Sequence, residues 1–261
     1  MTKLGNSHGV FFMLLMAVVV SSGCIETDST DLGSDFNLDY DRVELNSTGQ
    51  SVYQDSLSRG ENVSEYEVES DNRMAMKFPG VSISVNMTSE GVFDDVSEVN
   101  TSGFMGFNFI GNSNSTEFNT MVRSTDNGSE TFQRIMGKEN RSEGESYGRE
   151  ELGITLEALN EVEVEGASVL GVSNQSGEEN ILLELEVNNS DLMRNSEQIF
   201  EVHSVVREST DSGEGMESAG SFNETKAYLW TNREDRTPSK FAYYGSVDNG
   251  TIQVRSVTEY R

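Results

Sequence analysis

Period-two alternation of apolar and polar side chains is the feature that most limits the folds open to this chain. Met74, Met76 and Phe78 alternate with Ala75 and Lys77, and after Pro79-Gly80 the alternation resumes with Val81, Ile83, Val85 and Met87 against Ser82, Ser84 and Asn86. Successive side chains of a strand point to opposite faces, so this stretch predicts a hairpin with one apolar face that must be covered. Further strands are predicted over residues 103–110, 117–123, 130–136, 162–171, 180–187, 226–231, 240–247 and 251–259. Between them stand Gly111-Asn112-Ser113-Asn114, Asp126-Asn127-Gly128, Asn174-Gln175-Ser176-Gly177 and Asp248-Asn249-Gly250. Asn and Gly tolerate positive φ and Asx side chains bond nearby backbone, so these are turns with a mechanism.

Two segments leave this pattern. Leu152, Leu156 and Leu159 take helical spacing over residues 149–160, interrupted by Gly153; Leu192, Ile199, Val202 and Val206 do so over residues 191–207, with Asn189 or Ser190 as N-cap. The second segment also reads as a strand over residues 198–206. About ten strands with one or two helices describe a mainly β (α+β) domain over residues 51–261, long enough to bury a core.

Ahead of the domain, Lys3 precedes an apolar run from Val10 to Val20 and a small-residue exit, Ser21-Ser22-Gly23, before Cys24, the only cysteine. This is the anatomy of a signal peptide over residues 1–23, and the run is shorter than the roughly 20 residues a membrane span needs. The ending Val20-Ser21-Ser22-Gly23-Cys24 resembles the lipobox of prokaryotic lipoproteins, with Ser21 where Leu is more usual. That resemblance implies a lipid on Cys24 and a place on the extracytoplasmic face of the cell membrane. A free thiol beside an ordinary cleavage site is the other reading. Residues 24–50, with Asp28, Asp31, Asp35, Asp39 and Asp41, read as an acidic tether. They lack the central Gly and closing Glu of an EF-hand loop, so no metal is expected there.

The balance of 45 Asp+Glu against 18 Lys+Arg gives a net charge of -27, which repels nucleic acid and anionic head groups. Acidic residues are scattered through every segment, as in proteins of very salty surroundings, archaeal ones in particular, where about 1 M salt screens charge over about 3 Å. Asn-x-Ser/Thr sequons fall at Asn46, Asn62, Asn86, Asn100, Asn114, Asn127, Asn140, Asn174, Asn188, Asn223 and Asn249, candidates for glycosylation in an exported chain.

Beyond the leader the only histidine is His203 and there is no thiol besides Cys24. Thiolate zinc sites and a Cys-His nucleophile are therefore excluded, and no Gly-x-Ser-x-Gly turn or phosphate-cradling glycine loop is present. Pairs such as Asp94-Asp95, Glu150-Glu151 and Glu178-Glu179 are uninformative among 45 acidic residues. No catalytic residue and no cofactor is expected, and the chain reads as a non-enzyme.

The stretch from Ala227 to Phe241 runs through Trp230, Asn232 and Pro238, and upstream Val164 to Val172 is followed by Ile181 to Val187. These segments resemble the LolA/LolB-like and LppX-like lipoprotein carriers, in which a strand ending in Trp-x-Asp leads through a charged turn to Pro and a return strand; Asn232 replaces Asp. The resemblance covers residues 160–260. It implies a strongly curved antiparallel half-barrel with helices over its concave face and an apolar pocket between them. Transferred here, the pocket would be lined by Met74, Met76, Phe78, Ile83, Val85, Phe107, Phe109, Leu183 and Leu185. The implied partner is a lipid or other apolar ligand, besides the membrane. A structural or adhesive module binding envelope proteins or glycans through its polar face is the alternative.

Overall fold

The computed structural model describes residues 32–36, 38–43, 45, 47–94, 97–109, 112–125, 128–135, 138–144, 149–175, 177–203, 221–247 and 251–261. The leader, Cys24, Asn46, Asn127 and Asn249 lie outside them. The predicted alternation becomes β1 (Tyr66–Phe78), β2 (Val81–Phe93), β3 (Ser97–Phe109), β4 (Asn112–Thr125), β5 (Gly128–Ile135) and β6 (Lys138–Gly144). A second run supplies β7 (Val164–Gln175), β8 (Glu178–Val187), β9 (Glu224–Asn232), β10 (Pro238–Val247) and β11 (Ile252–Tyr260). They form one 11-stranded sheet in the order β6-β5-β4-β3-β2-β1-β11-β10-β9-β8-β7. Every pairing is antiparallel.

The two edges of this sheet, β6 and β7, are consecutive in the chain. The connection between them must therefore cross the full width of the sheet, and it covers the apolar face on the way. It carries a 3-10 turn (Arg149–Leu152) and the short helix α2 (Leu156–Asn160); α1 (Gly49–Gly60) and α3 (Asn189–His203) lie on the same face. Helix α3 touches both β4 and β10, which stand five places apart in the strand order. In a flat sheet that separation is about 24 Å, and a helix of 15 residues is only about 22 Å long. The helix thus lies across the strands of an open sheet whose edge strands do not pair, a half-barrel. No helix among the described residues is long and apolar enough to cross a membrane.

Helix ends are set by local chemistry. Thr48 Oγ1 accepts from Ser51 N at 3.2 Å to start α1, and Thr155 Oγ1 accepts from Ala158 N at 3.0 Å to start α2. The predicted helix over 149–160 is split because Gly153 sits at φ 72°, and a Cβ there would stand 2.6 Å from Ile199. Residues 191–203 are helical, which removes the strand reading up to His203; Val206 lies outside the described residues. The cap is neither Asn189 nor Ser190 but Asn188, whose Oδ1 accepts from Ser190 N and Asp191 N.

The segment read as a solvated tether, residues 24–50, is corrected over its described part. Phe36, Leu38 and Tyr40 pack on the face of the sheet away from the helices, against Leu182, Tyr228, Trp230 and Ala242. Phe36 meets Tyr228 edge-on at 5.6 Å and lies under the Arg255 guanidinium at 4.7 Å. Asp41 forms an antiparallel bridge with Val172, and Gly171 lets it come close, since a Cβ there would lie 2.2 Å from the Asp41 carbonyl oxygen. Burying apolar side chains that alternate with aspartates keeps the carboxylates in water while covering the outer core.

Candidate functional site

Directly opposed residues of an antiparallel ladder share a face, so the register places the nine predicted pocket residues. All nine belong to the helix-covered, inner face or its continuation. Across β1, β2 and β3 they form three adjoining rows. Phe78, Val81 and Phe109 stand at the hairpin tips; Met76, Ile83 and Phe107 come next, flanked by Ile252 of β11; Met74, Val85 and Met105 lie deepest, flanked by Val254. Leu183 and Leu185 sit on β8, on the other side of the half-barrel.

Cover separates these rows. Met74, Val85, Leu183 and Leu185 are buried in the main core beneath Leu152, Ile154, Leu192, Ile199 and Phe200 of the crossing segment and α3. Met76 and Phe107 are half-buried against that core, and Ile83 is half-buried beside them. At the tips Phe78 is 47% exposed and Phe109 46%. Four members are thus enclosed in the core, and the apolar side chains left partly or largely exposed are Met76, Phe78, Val81, Ile83, Phe107 and Phe109. Unbranched Met76 adapts to varied shapes, and the aromatic rings supply large apolar area.

Next to the apolar rows the inner face carries a polar belt absent from the sequence-based expectation. Ser70 and Thr258 share a hydrogen bond at 2.9 Å, as do Ser89 and Thr101; Asn72 Nδ2 donates to Ser70 Oγ, and Ser256 Oγ donates to Asn72 Oδ1. All are buried. Helix α3 is pinned by the same chemistry: Asn195 Nδ2 donates to the Gly153 carbonyl at 3.0 Å, and Ser196 Oγ and Tyr243 Oη lie 2.9 Å apart. Burial pushes the Tyr243 phenol well above its ordinary range. Tyr66 is raised by burial and then by its hydrogen bond to Glu157 at 2.5 Å, which fixes the start of β1 against α2. The signal available in sequence is the period-two recurrence of Ser70 with Asn72 and of Ser256 with Thr258.

A cleft of about 750 Å³ opens on the opposite, outer face, lined by Glu67, Glu69, Glu90, Glu98, Arg123 and Arg261 among others. Its carboxylates make it unfit for an apolar chain, and it shares none of the nine residues. Of the sequons, Asn62, Asn86, Asn100, Asn174 and Asn223 are exposed, while Asn114 and Asn188 are half-buried; Asn140 lies in β6. Asn188 already caps α3. His203 ends α3.

No protein-family model and no curated protein matches the chain. Among solved structures, LprF from Mycobacterium bovis is similar with a TM-score of 0.40 and 12% identity, over 81% of this chain and 91% of its own. The Mycobacterium tuberculosis lipoprotein LppX gives 0.35 and 9%, over 80% and 92%; a LolA superfamily protein from Nitrosomonas europaea gives 0.25 and 12%, over 82% and 92%.

Proposed function

We propose that this chain is a membrane-anchored, extracytoplasmic lipoprotein, tethered by a lipid on Cys24, that takes up a lipid or other apolar molecule on the inner face of its half-barrel and acts by binding without catalysis. The observation that carries this reading is the strip from Met76 to Phe109, which continues the core beyond the cover of the helices and ends in phenylalanines about half exposed. Covering several hundred Å² of such surface is worth on the order of 5–10 kcal/mol before the cost of association. The leader and the lipobox-like ending before Cys24 support the anchor, and the carrier-like hairpin through Trp230, Asn232 and Pro238 supports the ligand class. A net charge of -27 supports a saline, archaeal type of surrounding, and the exposed sequons are suited to glycosylation there.

Mass spectrometry of organic extracts from gently purified protein tests the binding reading. Reproducible apolar ligand near one equivalent is expected; protein that is persistently empty, and that fails to take up added long-chain fatty acid or phospholipid, contradicts it. The anchor is tested separately by Cys24→Ala, which should move the protein from the detergent-rich to the aqueous phase.

A further inference from the structure

We propose that the tips of the β1–β2 and β3–β4 hairpins dock into the surface of the same bilayer that holds Cys24, with Phe78, Val81 and Phe109 as the inserting side chains. This names the partner of the open strip and rests on the anchored reading above. Three independent observations bring the bilayer and these tips together.

The first is shape. Phe78, Val81 and Phe109 are opposed across three neighbouring strands, so they form one row at one end of the sheet, with Phe78 47% and Phe109 46% exposed. Aromatic side chains at such a rim suit the boundary between head groups and acyl chains.

The second is charge. The chain holds 45 Asp+Glu, yet from Asn72 to Ser89 and from Val99 to Thr116 it contains none, and Arg73 and Lys77 are the only charged residues in those two stretches. Elsewhere the surface would be repelled by phosphate head groups and would lose hydration at a cost; these two stretches bring no carboxylate of their own to the contact, those of the adjoining segments being Asp31, next to Leu32 in sequence, and Asp248, next to Val247. Lys77, next to Phe78, can lay its stem on apolar surface and keep its ammonium among phosphates.

The third is reach. Leu32 N donates to Gln253 Oε1 at 3.0 Å, and Gln253 is opposed to Ala75, three residues from Phe78. That separation is about 10 Å along the strand. The chain between Cys24 and Leu32 spans at most about 27 Å. A lipid on Cys24 is thus leashed from a point beside the hairpin tips, so that lipid and tips can reach one membrane surface, a condition that neither a free ligand nor a second copy of this chain imposes.

Full-length lipidated protein in phosphatidylcholine vesicles tests this, with Phe109→Cys labelled by an environment-sensitive nitrobenzoxadiazole and the same label on Phe104→Cys as control. Phe104 is 53% exposed on the outer face of the same strand. With spin-labelled phosphatidylcholine in the vesicles, quenching at 109 should exceed that at 104 at least about threefold. Equal quenching at both sites in protein that floats with the vesicles overturns docking while leaving the anchor standing. An emission shift at 109 that depends on protein concentration without quenching assigns the face to a second copy, and one produced by free fatty acid alone assigns it to a soluble ligand; either overturns the proposal. Protein that accepts a second label at Cys24 and does not float overturns the anchor and the docking with it.

Discussion

Met74 and Met76 stand two residues apart on one face of one strand, yet one is 2% exposed in the core and the other lies half-buried at the edge of an open strip. The pair stands for two regions of the inner face. The interior of the half-barrel is closed by α3 and the segment crossing from β6 to β7; the hairpin tips extend past that cover. The alternation that builds both regions is the same, so exposure here depends on where the covering chain stops.

The sharpest way to break this comparison is truncation in each region. Leu183→Ala, at a fully buried site, should cost about 2–5 kcal/mol in a denaturant titration, whereas Phe109→Ser should change stability by only about 0.5 kcal/mol and should weaken uptake of an apolar ligand. Equal destabilisation by the two would mean the tips belong to the core. Gly153→Val tests the cover itself: a left-handed backbone at φ 72° and contact with Ile199 should lower stability by about 1–3 kcal/mol, and a neutral result would show that the crossing segment is not held where it is.

A smaller effect is expected from the polar pins. Tyr243→Phe leaves Ser196 and Asn195 without the phenol and should cost about 1–2 kcal/mol, seen as earlier exchange of α3 amides and not of β2. Alkaline titration sharpens the same point. Burial pushes Tyr53 up to about 12 and raises Tyr66, Tyr243 and Tyr260 further. A raised phenol contributes stability that is complete below its unfolded value of about 10 and is lost as pH climbs through the folded value. Melting temperature should therefore fall steeply only above pH of about 10, and Tyr53→Phe should soften the fall. Least of all, Glu259 is raised by burial but pulled lower overall by Lys240 and Arg261. Its contribution is present at neutral pH and lost as acid protonates it, and Glu259→Gln should flatten that limb slightly.

Parity was enough to predict that Met74, Met76, Phe78, Val81, Ile83, Val85 and Met87 share a face of one hairpin, whereas Phe107, Phe109, Leu183 and Leu185 joined them only through the carrier resemblance. Which of them are open was not legible, since that depends on a connection joining opposite sheet edges. Strand β6, Lys-Glu-Asn-Arg-Ser-Glu-Gly, has no apolar residue and shows no alternation to read. Helix α1 escaped notice because its buried residues include Gly49, Ser56 and Gly60 beside Val52 and Tyr53. The outer-face strap was visible in principle: Phe36, Leu38 and Tyr40 alternate between aspartates, a strand-like signal outweighed by charge. Cys24 lies outside the described residues, and its reading rests on the residues before it alone.

Methionine methyl NMR during titration with a long-chain fatty acid is the most direct test of an open strip beside a closed core. The methyl of Met76 should shift with saturable binding while those of Met74 and Met87, each 2% exposed, stay in place. Shifts at Met74 and Met87 with Met76 unmoved, or no shift at any of the three, would contradict it.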